Sequence, residues 1–270
     1  MTDECIHGFP VQLCDICTPR QRAEPVVAPT RAPRRARPVS LRSDGPSDAP
    51  RASRSATRTA APVAAEPQVR PFASMRAHHW THRDNLAAIV AEGALLAASS
   101  VVPEFDVSAA EVRAARAAAA TPDGGSVADH VPFVLTPEAL TWQSLRTGAE
   151  DDRWSDAARR SRPVDYAMLV VPTVAFGASV IVTDLDAEDP AARSAVGPEA
   201  AGTLLRRASL QDPELQRVEL LAGPRVPFSA VAVVGVPNDR VRDDVRSVLA
   251  EAGGHAPRVA VFPPWFRPTV

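Results

Sequence analysis

At 270 residues, with 45% hydrophobic and 23% charged side chains, the chain has material for one substantial core plus extra segments, which excludes a fibre and a wholly disordered polymer. A net charge of −2, with every basic residue an arginine, argues against a protein that coats nucleic acid over its whole surface but leaves room for local basic regions. No uncharged apolar run reaches the roughly 18 residues of a membrane span, and the start MTDECIHGFP lacks the basic-then-apolar order of a secretion signal, so a cytoplasmic location without membrane contact is expected.

In chain order, residues 1–18 hold all three cysteines, and Cys5, His7, Cys14 and Cys17 follow the pattern C-x-H-x6-C-x2-C. Three thiolates and an imidazole suit a closed tetrahedral structural zinc site, and so short a segment would fold only as it bound the metal. Residues 19–74, rich in Ala, Pro, Arg and Ser and without hydrophobic period, read as a disordered linker that is basic enough to act as a weak, salt-dependent arm on nucleic acid.

The character changes after Arg76. HHWTHRDNLAAIVAEGALLA reads as a short strand and then a helix with Leu86, Ile89, Val90 and Leu95 inward, capped by Asp84 or Asn85 and stopped by Gly93. SAAEVRAARAAAATPDGG is an alanine-rich helix ended by Pro122 and the glycine pair. Strands are expected at Val131 to Thr136, Tyr166 to Ala175, Ser179 to Ala187 and Gln216 to Gly223, with the helix PEAAGTLLRRASL before the last of these. FSAVAVVGV is a further strand, NDRVRDDVRSVLAEAG an amphipathic helix with Val241, Val245, Val248 and Leu249 inward, and PRVAVFP a last strand. Helices and strands alternate irregularly and no G-x-G-x-x-G or P-loop sequence occurs, so a dinucleotide, if bound, is not held by a Rossmann loop.

Four blocks carry a resemblance: HWTHRDNLAAIVAEG (79–93), GGSVADHVPF (124–133), VIVTDLDA (180–187) and QRVELLAG (216–223). In this order they resemble the DarT family of DNA ADP-ribosyltransferases. The resemblance implies an α+β (α/β) domain over residues 75–270, an ADP-ribosyltransferase-like split mixed β-sheet with flanking helices around an NAD cleft. It also implies transfer of ADP-ribose from NAD to a thymine or guanine of single-stranded DNA, a toxin-antitoxin or phage-defence setting, and a DarG-like macrodomain as neutralising partner.

Cleaving the nicotinamide bond of NAD passes through an oxocarbenium-like ribose, which calls for a carboxylate near the ribose hydroxyls. Glu219 is the candidate, to bind a ribose hydroxyl and to help deprotonate the attacking ring nitrogen of the base, since on a strand its neighbours Val218 and Leu220 face the other way. The resemblance implies that His82 and Asn85 contact NAD, with His79 as the alternative on the opposite strand face. It also implies an arginine acting on the phosphates and the base; Arg113 and Arg116 share a helix face, and Arg113 is preferred. Thr183 and Asp184 would support the cleft, and Asp129, His130 and Trp142 would meet the substrate, Trp142 as a stacking face. His130 stands where the family has tyrosine, and FVLTPEALTWQSL replaces the family's aromatic segment. The competing reading is an inactive adaptor that binds nucleic acid through the cysteine cluster and basic arm; an enzyme acting on RNA or protein is a nearer alternative.

Overall fold

The computed structural model describes residues 69–268, so Cys5, His7, Cys14, Cys17 and most of the expected linker lie outside the described residues. YAMLVVP forms strand β4 (Tyr166–Pro172), and its unbroken apolar run follows from burial on both faces. Ala167, Leu169 and Val171 enter one core, whereas Tyr166, Met168 and Val170 enter another. A strand covered on both sides in this way is central. Its neighbours are β1 (Arg76–His82), paired antiparallel over seven positions from Arg76↔Pro172 to His82↔Tyr166, and β9 (Val233–Val236).

The sheet continues through β3 (Val131–Val134), β5 (Ile181–Thr183), β6 (Ser194–Val196), β7 (Glu219–Ala222) and β10 (Arg258–Val261) in the order β10-β9-β4-β1-β3-β7-β5-β6. All pairings are antiparallel except β10 with β9, so the sheet is mixed, as the resemblance implies. A two-stranded sheet joins β2 (Ala94–Leu96) to β8 (Arg225–Pro227). Leu95, expected on the inner face of the preceding helix, lies in β2 instead, because Gly93 at φ 69 ends that helix first.

The larger core takes α1 (Leu86–Glu92), α5 (Pro198–Ala208) and α6 (Asp239–Ala252). In α6, Val241, Val245 and Leu249 are buried at helical spacing, and Asn238 caps the first turn by accepting from Val241 N at 3.0 Å. The second core takes α3 (Leu140–Arg146), α4 (Asp156–Arg160) and Phe266. Trp265 lies so close to β9 that a Cβ on Gly235 would stand 2.5 Å from its ring, so only glycine fits there. The fold also reaches back into the expected linker: Phe72 is buried, and its carbonyl accepts from the Thr173 hydroxyl. A single aromatic among prolines carries no periodicity to announce this.

His78 packs edge-on against Trp265 at 5.7 Å, and its Nδ1 has no hydrogen-bond partner among the described residues. Burial pushes its pKa down to about 4, against the pull of a hydrogen bond to the Val134 backbone. The unfolded chain takes up this proton near 6.5, so the stabilisation is complete above that pH and is lost as pH falls from 6.5 to 4. We expect up to about 3 kcal/mol to disappear across that window. His78→Phe should flatten the decline in denaturant titrations at stepped pH, leaving a smaller slope from His79 and His82, which are also shifted down.

Candidate active site

The sheet nearly parts between β1 and β3. Only His78↔Val134 pairs there, against seven positions between β1 and β4. Beyond that point a side chain takes over from the ladder: His79 Nδ1 lies 2.8 Å from the Pro132 carbonyl oxygen. A carbonyl only accepts, so Nδ1 carries the hydrogen, and burial holds the pKa of His79 below its ordinary value and the ring neutral. Nε2 is therefore left as an acceptor.

A pocket opens at this junction. Its wall combines His79 and Trp80 of β1, Pro132, Phe133 and Val134 of β3, and Gln216 to Glu219 at the start of β7. It is completed by Val107 and Ser108, by Val112 and Arg116 of α2 (Ala110–Ala118), by Arg153 and Trp154, and by Asp186 and Glu188 after β5. The approach to β7 is a tight turn in which Leu215 takes φ 54, a left-handed conformation that a leucine seldom adopts. The loop before α2 is tied to the Arg153–Ser155 segment by Ala109 N to Arg153 O and Ser155 N to Val107 O, each 2.9 Å.

Arg116 is the electrostatic centre of the pocket. Its Nη2 donates to Glu219 Oε1 at 2.6 Å, and its Nη1 donates to Glu219 Oε2 at 3.2 Å and to Glu188 Oε2 at 2.8 Å. Burial alone would lower its pKa, but the Glu219 and Glu188 carboxylates outweigh it and hold the guanidinium firmly charged. Ala187 N donates to Glu219 Oε2 at 2.8 Å, so the Asp186–Glu188 segment wraps over the buried acid. Burial raises the Glu188 pKa against the pull of Arg116, and Glu219 adds to the rise. Arg153 donates to Asp186 at 2.8 Å on the same wall.

Of the residues singled out from sequence, the pocket brings together Glu219, Arg116 and His79. Arg113, the preferred arginine, lies outside it and binds Asp106 at 2.7 Å and the Ser108 carbonyl in the loop that passes that end of the helix. His82 is also outside: its ring stacks on Phe105 at 3.7 Å, and Nδ1 accepts from Asp84 N. Asn85 does not cap α1; its amide grips the Phe105 backbone, donating to its carbonyl and accepting from its N–H, both at 2.8 Å.

Thr183 donates to the Leu185 carbonyl, and Asp184 holds Arg193 across the β5–β6 hairpin. Asp129 closes a capping box with Ser126, and His130 staples the glycine turn through Ser126 O and Asp123. Trp142 is fully buried, donates to the Trp265 carbonyl at 2.7 Å and offers no stacking face. Trp80 and Trp154 are the tryptophans on the pocket wall. Sequence reasoning also missed Glu188, Asp186 and Arg153; the available signal was the run of alternate acids Asp184, Asp186 and Glu188 after a strand. Among the described residues no group of three His, Cys, Asp or Glu could hold a metal.

This α+β fold, a mixed sheet flanked by helices, is matched by solved DarT structures. The fold matches Thermus sp. 2.9 DarT in complex with ADP-ribosylated ssDNA at TM-score 0.62 and 23% identity, covering 72% of this chain and 96% of that one. It matches the same protein in complex with NAD+ at 0.59 and 24%, covering 72% and 98%. It matches Thermosipho africanus DarTG in complex with ADP-ribose at 0.57 and 15%, covering 71% and 51%. Residues 78–196, a little under half of the chain, match the family model described as ssDNA thymidine ADP-ribosyltransferase, DarT. No curated protein sequence matches it. The matched segment contains His79, Arg116 and Glu188 but ends before Glu219, which the fold brings to the pocket.

Removing the guanidinium would leave two carboxylates facing each other with little water around them. Arg116→Ala should therefore lower stability by about 3 kcal/mol in denaturant unfolding. Arg113→Ala, which breaks a largely exposed pair, should cost less than about 1 kcal/mol.

Proposed function

We propose that this chain transfers ADP-ribose from NAD to a base of single-stranded DNA, with thymine the first base to test given the family description. The observation that carries the proposal is the buried Glu219 held by Arg116 inside a pocket that also contains neutral His79. When the nicotinamide bond lengthens, positive charge grows on the ribose, and a carboxylate fixed by three donors needs no reorganisation to face it. Glu219 would bind a ribose hydroxyl and His79 Nε2 would accept from another. Arg116 would turn part of its donor set toward phosphate or base once Glu219 is engaged. The Thermus sp. 2.9 DarT complexes with NAD+ and with ADP-ribosylated ssDNA support this choice of substrates.

The adaptor reading would gain most from a Glu219 away from His82 and outside any cleft; His82 does lie outside the pocket, but Glu219 lines it together with His79 and Arg116, which favours the enzyme. An enzyme that modifies DNA bases harms its host unless opposed, so we extend the proposal to a toxin with a DarG-like macrodomain partner, acting in the cytoplasm where NAD and DNA meet. No described helix is long and apolar enough to cross a membrane. For Cys5, His7, Cys14 and Cys17 we propose a structural zinc; the purified full chain should hold about one equivalent, and a Cys14→Ser, Cys17→Ser variant should lose it.

The test of the reaction is incubation with NAD and single-stranded oligonucleotides of varied sequence, followed by intact-mass measurement. The parent should add one ADP-ribose per modified base, and Glu219→Gln should slow this about 100-fold or more. Unmodified DNA with unconsumed NAD across all sequences would count against the enzyme.

A further inference from the structure

We propose that Glu188 is a second catalytic carboxylate of this pocket, the general base that takes the proton released when the DNA base is joined to ribose. The inference rests on the transfer reaction proposed above and moves to Glu188 the deprotonation expected of Glu219 from the sequence. The step balances as follows. The ring N–H bond of the base breaks, and its electron pair forms the new bond to ribose C1′. The bond from C1′ to the nicotinamide nitrogen breaks, and that pair stays with the departing nicotinamide, which leaves neutral. The freed proton needs an acceptor.

Glu219 is poorly free to be that acceptor. Its two oxygens already receive Arg116 Nη1, Arg116 Nη2 and Ala187 N, and one of them is asked to hold a ribose hydroxyl. Among the described residues Glu188 meets a single donor from another residue, Arg116 Nη1 at 2.8 Å, besides its own backbone amide, and it lines the same pocket. Charge points the same way. One guanidinium shared by two carboxylates leaves one negative charge, while the neighbouring Asp186 is balanced by Arg153. A single proton on Glu188 brings the pocket to an even pairing of Arg116 with Glu219. The charged groups around Glu188 are Arg116 from α2, Glu219 from β7, Asp186 on its own loop and Arg153 across the pocket, and burial, opposed by Arg116, raises its affinity for a proton. A more basic carboxylate is a better acceptor.

The test is Glu188→Gln in the full chain, which keeps the size of the side chain and an oxygen for Arg116. Three readouts are needed: affinity for a non-hydrolysable NAD analogue, the transfer rate at saturating NAD and DNA, and the dependence of that rate on pH. Expected are an affinity within about twofold of the parent and a transfer rate lower by about 100-fold or more. The variant's rate should then climb about tenfold per pH unit toward the ionisation of the base itself, where the parent is flat. An oligonucleotide whose pyrimidine is made more acidic by a halogen should narrow the gap between variant and parent. Glu188→Asp, the second variant should the first not fold, should give an intermediate rate with the parent's flat profile. A parent-like rate for Glu188→Gln, a loss that does not depend on pH, or a loss of NAD affinity equal to the loss in rate would each overturn the role of Glu188 while leaving the reaction standing. Absence of any adduct from the parent would overturn the reaction and this role together.

Discussion

The rest of the site depends on the point where β1 leaves β3. A fully zipped sheet would put backbone where the pocket now stands. With one paired position left, β1 and β3 separate, and the His79 ring satisfies a Pro132 carbonyl that a ladder would otherwise have used. The same bond fixes the imidazole tautomer. A structural duty toward the backbone and a chemical disposition toward the pocket are thus set by one hydrogen.

Burial of charge sets the second condition. Arg116, Glu188 and Glu219 give up water, and such a cluster is tolerated only where each partner is met at short range. Hydrophobic side chains would pack there at lower cost, so the cluster marks a place where the fold spends stability on chemistry. Around it the two cores are conventional. Alternate residues of β4 feed each, and α6 closes the larger with its buried valines and leucine.

This division explains what could be read from the sequence. The strand from Tyr166, which ends at Pro172 in a short helical turn rather than running to Ala175, the helix at 239–252 and the stop at Gly93 were legible because length, periodicity and a required φ each leave a mark in residue order. The three-residue strands β2, β6 and β8 leave none, and α3 and α4 sit in a mixed stretch where aromatic and charged residues obscure any period. At the site, residue type announced that an acid, an arginine and a histidine were needed, but direction was another matter. Arg113 and Arg116 are one turn apart and differ only in which loop passes each. His79 and His82 sit on one strand, and the parting of that strand from β3 decides which meets the pocket. A tryptophan asks for burial or stacking without saying where, so Trp142 and Trp154 could not be told apart.

The HRDN stretch serves the pocket without touching it. His82 lies flat on Phe105 while Asn85 takes hold of that residue's amide and carbonyl, imitating with one side chain what a neighbouring strand would offer. Phe105 is thereby fastened a few residues ahead of the helix that delivers Arg116. For anyone grafting segments between relatives, the unit of exchange is therefore the residue pair and the arm it pins. A transplanted helix without its anchor would bring the right guanidinium to the wrong address.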